Sequence, residues 1–216
     1  MKIKALLPFL AALGTFSVTG ISSASSVDTV VDGRSGPWNS AVNPSFSWGA
    51  SVLPPAFIDS ATGLPMVAGD TLTISYISGT LNGGDLPFGV FSDANGNQAI
   101  YGNLAGAPGS PSQYTTSQGP VYFMALLGAF TDSQGVIVGQ PFKIGDGPFN
   151  TTIPTGASRL SMGFNDGGGG FLDNSGGIIV RIAEVPAIPE PESYAMLLAG
   201  LGLIGFMARF RRKAVR

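Results

Sequence analysis

The chain has 216 residues, no cysteine, no histidine and a formal net charge of −2. Without cysteine and histidine, a Ser-His-Asp triad, a cysteine nucleophile, a conventional zinc site and a haem site all lack their ligands or bases. What remains is carboxylate chemistry, either in acid–base pairs or in oxygen ligands of a metal ion.

The N-terminal residues have the pattern of a secretory signal peptide. Two lysines precede the apolar stretch 5–21, and the small residues 22–24 offer a cleavage site. We predict that residues 1–24 are removed and that the mature chain begins at Ser25. An exported chain without cysteine must draw its stability from a hydrophobic core, because it has no disulfides.

Residues 25–185 are predicted to form one all-β domain. Apolar and polar residues alternate in segments 71–76, 160–164 and 178–182, which predicts half-buried strands. The continuous apolar run 122–127 predicts a strand that is buried on both faces. Clusters of proline and glycine separate these runs, and this pattern is typical of an antiparallel β-sandwich of the jelly-roll type.

The segment 87–119 is rich in glycine, serine, asparagine and proline, which predicts a long surface excursion. Within it, residues 93–97 resemble the start of an EF-hand calcium loop. That loop needs glycine at its sixth position and glutamate at its twelfth, where this chain has Gln98 and Leu104. We therefore interpret residues 93–97 as a turn.

The charge of the predicted domain restricts its partners. Residues 25–185 contain four basic and eleven acidic side chains, a net charge of −7. This charge disfavours nucleic acid and anionic lipid as partners. A neutral ligand, a cationic ligand or a metal ion fits better.

The loop 165–176, between the last two predicted strands, is the strongest candidate for a binding site. It contains two carboxylates and two amides on a glycine-rich backbone. Calcium takes about six to eight oxygen ligands, which such side chains and nearby backbone carbonyls can supply. Aspartate, asparagine and glycine are also the ordinary residues of turns, so composition alone favours a turn.

This loop, together with segments 67–74 and 141–145, resembles the LecA-like family of calcium-dependent, galactose-binding bacterial lectins. The resemblance implies a calcium ion whose open positions accept two sugar hydroxyls. It implies ligands of two kinds, the side chains of Asp166, Asp173 and Asn174 and the backbone carbonyls of Gly170 and Gly83.

The chain departs from the lectin pattern at three points. Gly170 stands where the lectins have threonine, and Asp173 replaces a neutral amide, so the loop carries one more negative charge for calcium. The histidine with which the galactose-specific members contact their sugar has no counterpart here. The resemblance therefore leaves the sugar undefined.

The C-terminal residues 186–216 resemble the PEP-CTERM sorting signal of exopolysaccharide-producing Gram-negative bacteria. The motif Pro189-Glu190-Pro191 precedes the apolar stretch 194–208, which predicts a single transmembrane helix. A basic stop follows, and it is predicted to stay cytoplasmic: Arg209, Arg211, Arg212 and Lys213. The resemblance implies that an exosortase cuts near the motif and releases the domain to the cell surface or extracellular matrix, whereas a permanent single-span anchor is the alternative.

Three functions are compatible with these patterns. The favoured one is a non-enzymatic, calcium-dependent carbohydrate-binding protein of the cell envelope or biofilm matrix, whose partner is a neutral glycan or exopolysaccharide. In the second, calcium only stabilises a structural matrix protein. The third is a polysaccharide hydrolase, which the sequence supports weakly because Glu184, the only glutamate of the domain, has no acidic residue nearby in sequence.

The signal peptide leads to a first prediction. Mass spectrometry of protein from the native host should find Ser25 at the N-terminus, because the small residues 22–24 fit the specificity of signal peptidase. Recovery of the mature protein with residues 1–24 attached would contradict the secretory interpretation.

Overall fold

The structure is a computed structural model that describes residues 25–46, 53–84, 91–101, 121–166, 170–185 and 191–213. The predicted signal peptide, residues 1–24, lies outside the described residues, and so do Pro189 and Glu190 of the sorting motif.

The described residues form eleven strands. They are β1 (Ser25–Asp32), β2 (Ala56–Ile58), β3 (Thr71–Asn82), β4 (Phe91–Ser92), β5 (Asn97–Tyr101), β6 (Tyr122–Phe123), β7 (Leu126–Thr131), β8 (Phe142–Lys143), β9 (Phe149–Thr152), β10 (Arg159–Phe164) and β11 (Ser175–Val185). Short 3-10 turns occur at Pro44–Phe46, Ser60–Thr62 and Gly170–Leu172, and one α-helix, α1, spans Pro191–Lys213.

The strands form two antiparallel sheets and one small ribbon. The first sheet has the order β1-β11-β3-β4, and β9 also pairs with β3. The second sheet has the order β2-β10-β7-β8, and the ribbon pairs β5 with β6. Since buried side chains of both sheets belong to one hydrophobic cluster, the sheets pack face to face. The predicted antiparallel β-sandwich is confirmed.

The predicted alternation sets the inner face of each sheet. In β3, β10 and β11 the apolar members of the pattern are buried, namely Leu72, Ile74, Leu160, Met162, Phe164, Ile178, Val180 and Ile182. Side chains of a strand alternate between its two faces, so the apolar set buries one face. A shift of one residue would expose that set, and this fixes the register of each strand.

The apolar run 122–127 was predicted as one strand, and this prediction is wrong in its continuity. The backbone turns at Met124, whose φ is +61°, so that β6 and β7 belong to different sheets. A side chain makes the left-handed region unfavourable. Two interactions stabilise this backbone conformation of Met124. Its side chain is buried, and its backbone N–H donates to the Asn165 carbonyl at 2.7 Å.

The predicted burial on both faces is confirmed for β7. One face of this strand contributes Leu126 and Phe130 to the core between the sheets. The other face packs in a second apolar cluster, formed by Leu127, Ala129, Trp38 and Phe171.

The predicted surface excursion 87–119 is only partly on the surface. Its described residues form β4 and β5, and the turn between these strands places Ala94 in the main core. Turn residues dominate the segment and predict exposure to solvent, but Ala94, Ser92 and Asn97 are buried.

Helix α1 is longer than the predicted segment 194–208, and its large apolar side chains between Met196 and Met207 are exposed. Of the helices in the described residues, none is long and apolar enough to cross a membrane. The apolar stretch measures only about 23 Å at 1.5 Å per residue, whereas a bilayer core is about 30 Å thick. The prediction of a transmembrane helix is therefore not confirmed.

The close packing of β10 on the turn after β1 leads to a second prediction. A Cβ added at Gly163 would overlap the backbone atoms of Gly36 and Pro37, which cannot move aside as a flexible side chain can. We expect Gly163→Ala to lower the free energy of unfolding by about 1–3 kcal/mol, the usual cost of overpacking.

Urea denaturation followed by tryptophan fluorescence measures this loss. Ser133→Ala, at an exposed turn position, serves as the control and should stay within about 0.5 kcal/mol of the parent chain. Equal stability of Gly163→Ala and the control would contradict the described packing.

Candidate functional site

Three turns meet at one end of the sandwich. One is the loop after β10, beginning at Asn165, and the second is the turn Gly83–Gly84 after β3. The third follows β1 and contains Gly33. Contacts between the Asn174 amide and Gly33, and between the Asp173 carboxylate and Gly84, join these turns.

Asn165 fixes the start of the loop to the break between β6 and β7. Its N–H donates to the Ala125 carbonyl at 2.9 Å, and its side-chain amide donates to the Tyr122 carbonyl at 2.8 Å. The Asn165 carbonyl also accepts from the Met124 N–H, so three hydrogen bonds fix the position of Asn165. The position of the next residue, Asp166, is thereby set by the backbone.

Asp166 and Asn174 form the buried part of the site. Their side chains are 3% and 4% exposed, and Asn174 Nδ2 donates to Asp166 Oδ2 at 2.7 Å. The same nitrogen also donates to the Gly33 carbonyl at 3.0 Å. Among the described residues, nothing donates a hydrogen bond to the buried Asn174 Oδ1. A buried carbonyl oxygen without a donor is costly and needs a reason.

Phe171 explains how the loop returns to Asn174. Its ring is fully buried in the second apolar cluster, against Trp38 and Leu127. The 3-10 turn Gly170–Leu172 therefore lies on the outer face of β7, and it leaves Asp173 exposed at the rim of the site.

Glycines line this site because side chains would collide with its carboxylates. A Cβ at Gly170 would lie 2.5 Å from Asp166 Oδ1, and a Cβ at Gly84, whose φ is +90°, would overlap the Asp173 carboxylate. Gly83 packs against the Phe123 ring with no room for a side chain. Because position 170 is a glycine, the Asp166 carboxylate can lie against the backbone of the loop.

The structure places the five predicted ligand residues near one another. Asp166 contacts Asn174 and lies against Gly170, while Asp173 lies against Gly84, the neighbour of Gly83. In the described part of the chain, no group of three or more His, Cys, Asp or Glu side chains could hold a metal ion. A cation here would need amide and carbonyl oxygens beside the two carboxylates, and its binding stays a prediction.

Residues 93–96 form a turn before β5, as we interpreted them, in which Asp93 Oδ1 accepts from the Asn95 N–H at 2.9 Å. The structure adds Asp146, whose Oδ2 accepts from Asn95 Nδ2 at 2.5 Å. Burial raises the pKa of Asp146, and the nearby charge of Asp93 raises it further. Sequence reasoning missed this contact because 51 residues separate the two partners.

The expectation that Glu184 lacks an acidic partner is wrong. Its carboxyl group hydrogen-bonds with that of Asp70, which precedes β3, and the two side chains are 2% and 7% exposed. Burial raises the pKa of Glu184, and the hydrogen bond with Asp70 raises it further. A retaining glycosidase holds its carboxyl groups about 5 Å apart in an open groove, so this buried, hydrogen-bonded pair does not suit glycoside hydrolysis.

Comparisons with known proteins give two findings. Residues 187–213 match the family model of the PEP-CTERM protein-sorting motif, and a search of curated protein sequences finds no match to this chain. Among solved structures, the chain is similar to the N-terminal domain of EclA, a PllA-like lectin, with 17% sequence identity and a TM-score of 0.39. The alignment covers 73% of this chain and 95% of that chain, and this likeness concerns the fold alone.

The sorting-motif match confirms the predicted PEP-CTERM signal. It indicates an exported, membrane-anchored protein that an exosortase then processes.

The sorting motif leads to a third prediction. Replacing Glu190 by alanine should leave the chain uncut and in the membrane fraction, since the resemblance places recognition at Pro189-Glu190-Pro191. Glu192→Ala is the matched control, because it removes the same charge two residues further on. Immunoblots of membrane and medium from the native host measure the outcome. Equal release of both variants would contradict recognition at Glu190.

Proposed function

We propose that this protein is a calcium-dependent carbohydrate-binding protein, exported to the cell envelope or its exopolysaccharide matrix, with no enzymatic activity. The observation that carries the proposal is the buried Asn174 Oδ1, which has no donor among the described residues and belongs to the amide whose Nδ2 donates to the Asp166 carboxylate. A cation ligated by the Asn174 amide oxygen and by the Asp166 carboxylate would give that oxygen a partner and add to the compensation of the buried carboxylate.

Calcium suits the donor set better than other common cations. The site offers two carboxylates, an amide oxygen and the carbonyls of a glycine-rich loop, which are the hard oxygen ligands that calcium prefers. Zinc and copper favour nitrogen and sulfur ligands from histidine and cysteine, and the chain has neither residue. Magnesium demands a more rigid octahedral geometry than a loop of this kind imposes.

The exposure gradient of the site supports a ligand on the outer side of the ion. Asp166 and Asn174 are buried, whereas Asp173 and Leu172 are exposed at the rim. Protein ligands would therefore occupy the inner positions of an ion, and hydroxyl groups of a ligand can approach the outer ones. The net charge of −7 disfavours polyanionic ligands, so a neutral glycan is the proposed partner.

A structural role for calcium is the second candidate, and one observation favours it. The two side chains at the centre of the site are at most 4% exposed. An ion held that deeply joins the turns after β1, β3 and β10, and this would stabilise the sandwich whether or not a sugar is bound.

These candidates lead to a fourth prediction. Calcium at about one hundred times its dissociation constant should stabilise the folded chain by about 2.7 kcal/mol, because it binds the folded state alone. The expected rise in Tm is roughly 5–10 °C. Asp166→Asn should abolish the rise, since it removes an anionic ligand with little change in shape.

Asp132→Asn is the matched control. It lies next to Thr131, at the end of β7 opposite the site, and asparagine can accept the same turn hydrogen bonds. Calorimetry of the chain 25–216 in detergent, with calcium or with chelator, gives the Tm values. Binding to immobilised galactosides and to neutral exopolysaccharide is measured in parallel.

Three outcomes separate the candidates. A calcium-dependent rise together with calcium-dependent glycan binding, both lost in Asp166→Asn, supports the lectin function. A rise without glycan binding selects the structural role. A Tm that calcium and chelator leave unchanged would contradict both.

A further inference from the structure

A second buried acidic group lies at the other end of the sandwich. In β11 the inward-facing positions are Ile178, Val180 and Ile182, and the next one in this series is Glu184. An acid thus occupies a position that the strand pattern reserves for an apolar side chain. Its carboxyl group meets that of Asp70, so two acidic side chains share one buried site.

Ser25, the predicted N-terminus of the mature chain, lies directly opposite this pair. Ser25 and Glu184 are cross-strand partners in the β1–β11 ladder, and Ser25 Oγ donates to Glu184 Oε2 at 3.1 Å. The Ser25 nitrogen is three bonds from Oγ, so it lies within a few ångströms of the same carboxylate.

The ladder also orients this nitrogen. The Gly33 N–H donates to the Gly176 carbonyl at 3.0 Å, which makes Gly33 and Gly176 a hydrogen-bonded pair. Such pairs recur at every second residue of an antiparallel ladder, and the β1–β11 register has no irregularity. Ser25, eight residues before Gly33, therefore directs its nitrogen towards the backbone of Glu184 in β11.

The basic side chains of the domain are engaged elsewhere. Three of them form ion pairs with acids other than Glu184 and Asp70: Arg34 with Asp32, Arg159 with Asp59, and Arg181 with Asp28. The fourth, Lys143, lies over the Tyr122 ring and near Asp146. The contacts described for these four side chains involve neither Glu184 nor Asp70.

We propose that the free α-ammonium of Ser25, created when residues 1–24 are removed, binds the Glu184–Asp70 carboxyl pair and fixes edge strand β1 to the first sheet. In the uncut chain the same nitrogen is a neutral amide with one N–H. After the cut it carries a positive charge and extra donors next to two buried acids, where a charge-assisted hydrogen bond is strongest. The domain therefore reaches its full stability only after cleavage. The proposal rests on the predicted cleavage before Ser25.

Two chains that differ only at the N-terminus test the proposal. One begins at Ser25 and the other at Ser22, and both end at Arg216 and are studied in the same detergent. The extension separates the ammonium from Ser25 by three residues, a chain length of up to about 10 Å. We expect the chain that begins at Ser25 to have a Tm higher by about 2–4 °C or more.

Glu184→Gln, introduced into both chains, distinguishes an ion pair from a general effect of chain length. In the shorter chain it removes the partner of the ammonium and should lower the Tm. In the longer chain it relieves the contact between two acids and should leave the Tm unchanged or raise it. The difference between the two starting points should vanish in the glutamine background.

Equal Tm values for the two parent chains would overturn the proposal, and so would a difference that persists with glutamine at position 184. If Glu184→Gln does not fold, titration of ¹⁵N-labelled Ser25 in the parent chain decides. A pKa of the α-ammonium above its ordinary value of about 7.7–8.0 supports the ion pair, and an ordinary pKa overturns it. A mature N-terminus other than Ser25 in the native host would overturn the link to processing.

Discussion

The burial of the Asp166 carboxylate is the constraint around which one end of this sandwich is arranged. A carboxylate with 3% of its surface exposed costs several kcal/mol unless nearby groups compensate its charge. The surrounding structure fits this need. Asn165 fixes the backbone before it, Asn174 donates to it, and Gly170 leaves space beside it. A calcium ion ligated by Asp166 and Asn174 would add to this compensation, and the exposed rim at Asp173 would open that ion to a ligand.

Strands β3 and β11 link this end to the opposite one. Ser175 at the start of β11 pairs with Asn82 at the end of β3, beside the loop that contains Asp166. At their other ends Glu184 pairs with Leu72, next to Asp70. The two acidic sites are therefore about 30 Å apart on the same pair of strands. One would be neutralised by a metal ion and the other by the N-terminus of the processed chain, so the stability of an acidic domain without disulfides would depend on events that follow export.

Local sequence predicted parts of β3, β10 and β11, because alternation with period two is a local property. It also marked the loop 165–176, since carboxylates, amides and glycines are adjacent there. Features that depend on distant partners were not predictable. The run 122–127 contains no glycine or proline to signal the turn at Met124, which is held by Asn165. Gly33 and Asn174 are 141 residues apart, and no local pattern joins Glu184 to Asp70. Gly83 was predicted through the resemblance to the lectins, which implies a carbonyl ligand in the turn after the first core strand.

Direct titration of calcium tests the central claim, that the buried Asp166–Asn174 group is a cation site. Isothermal titration calorimetry should be run on the chain 25–216, stripped of metal with chelator, alongside Asp166→Asn. The account predicts one calcium ion bound per parent chain and no binding by the variant. Absence of binding to the parent chain, or equal binding by the two chains, would contradict it.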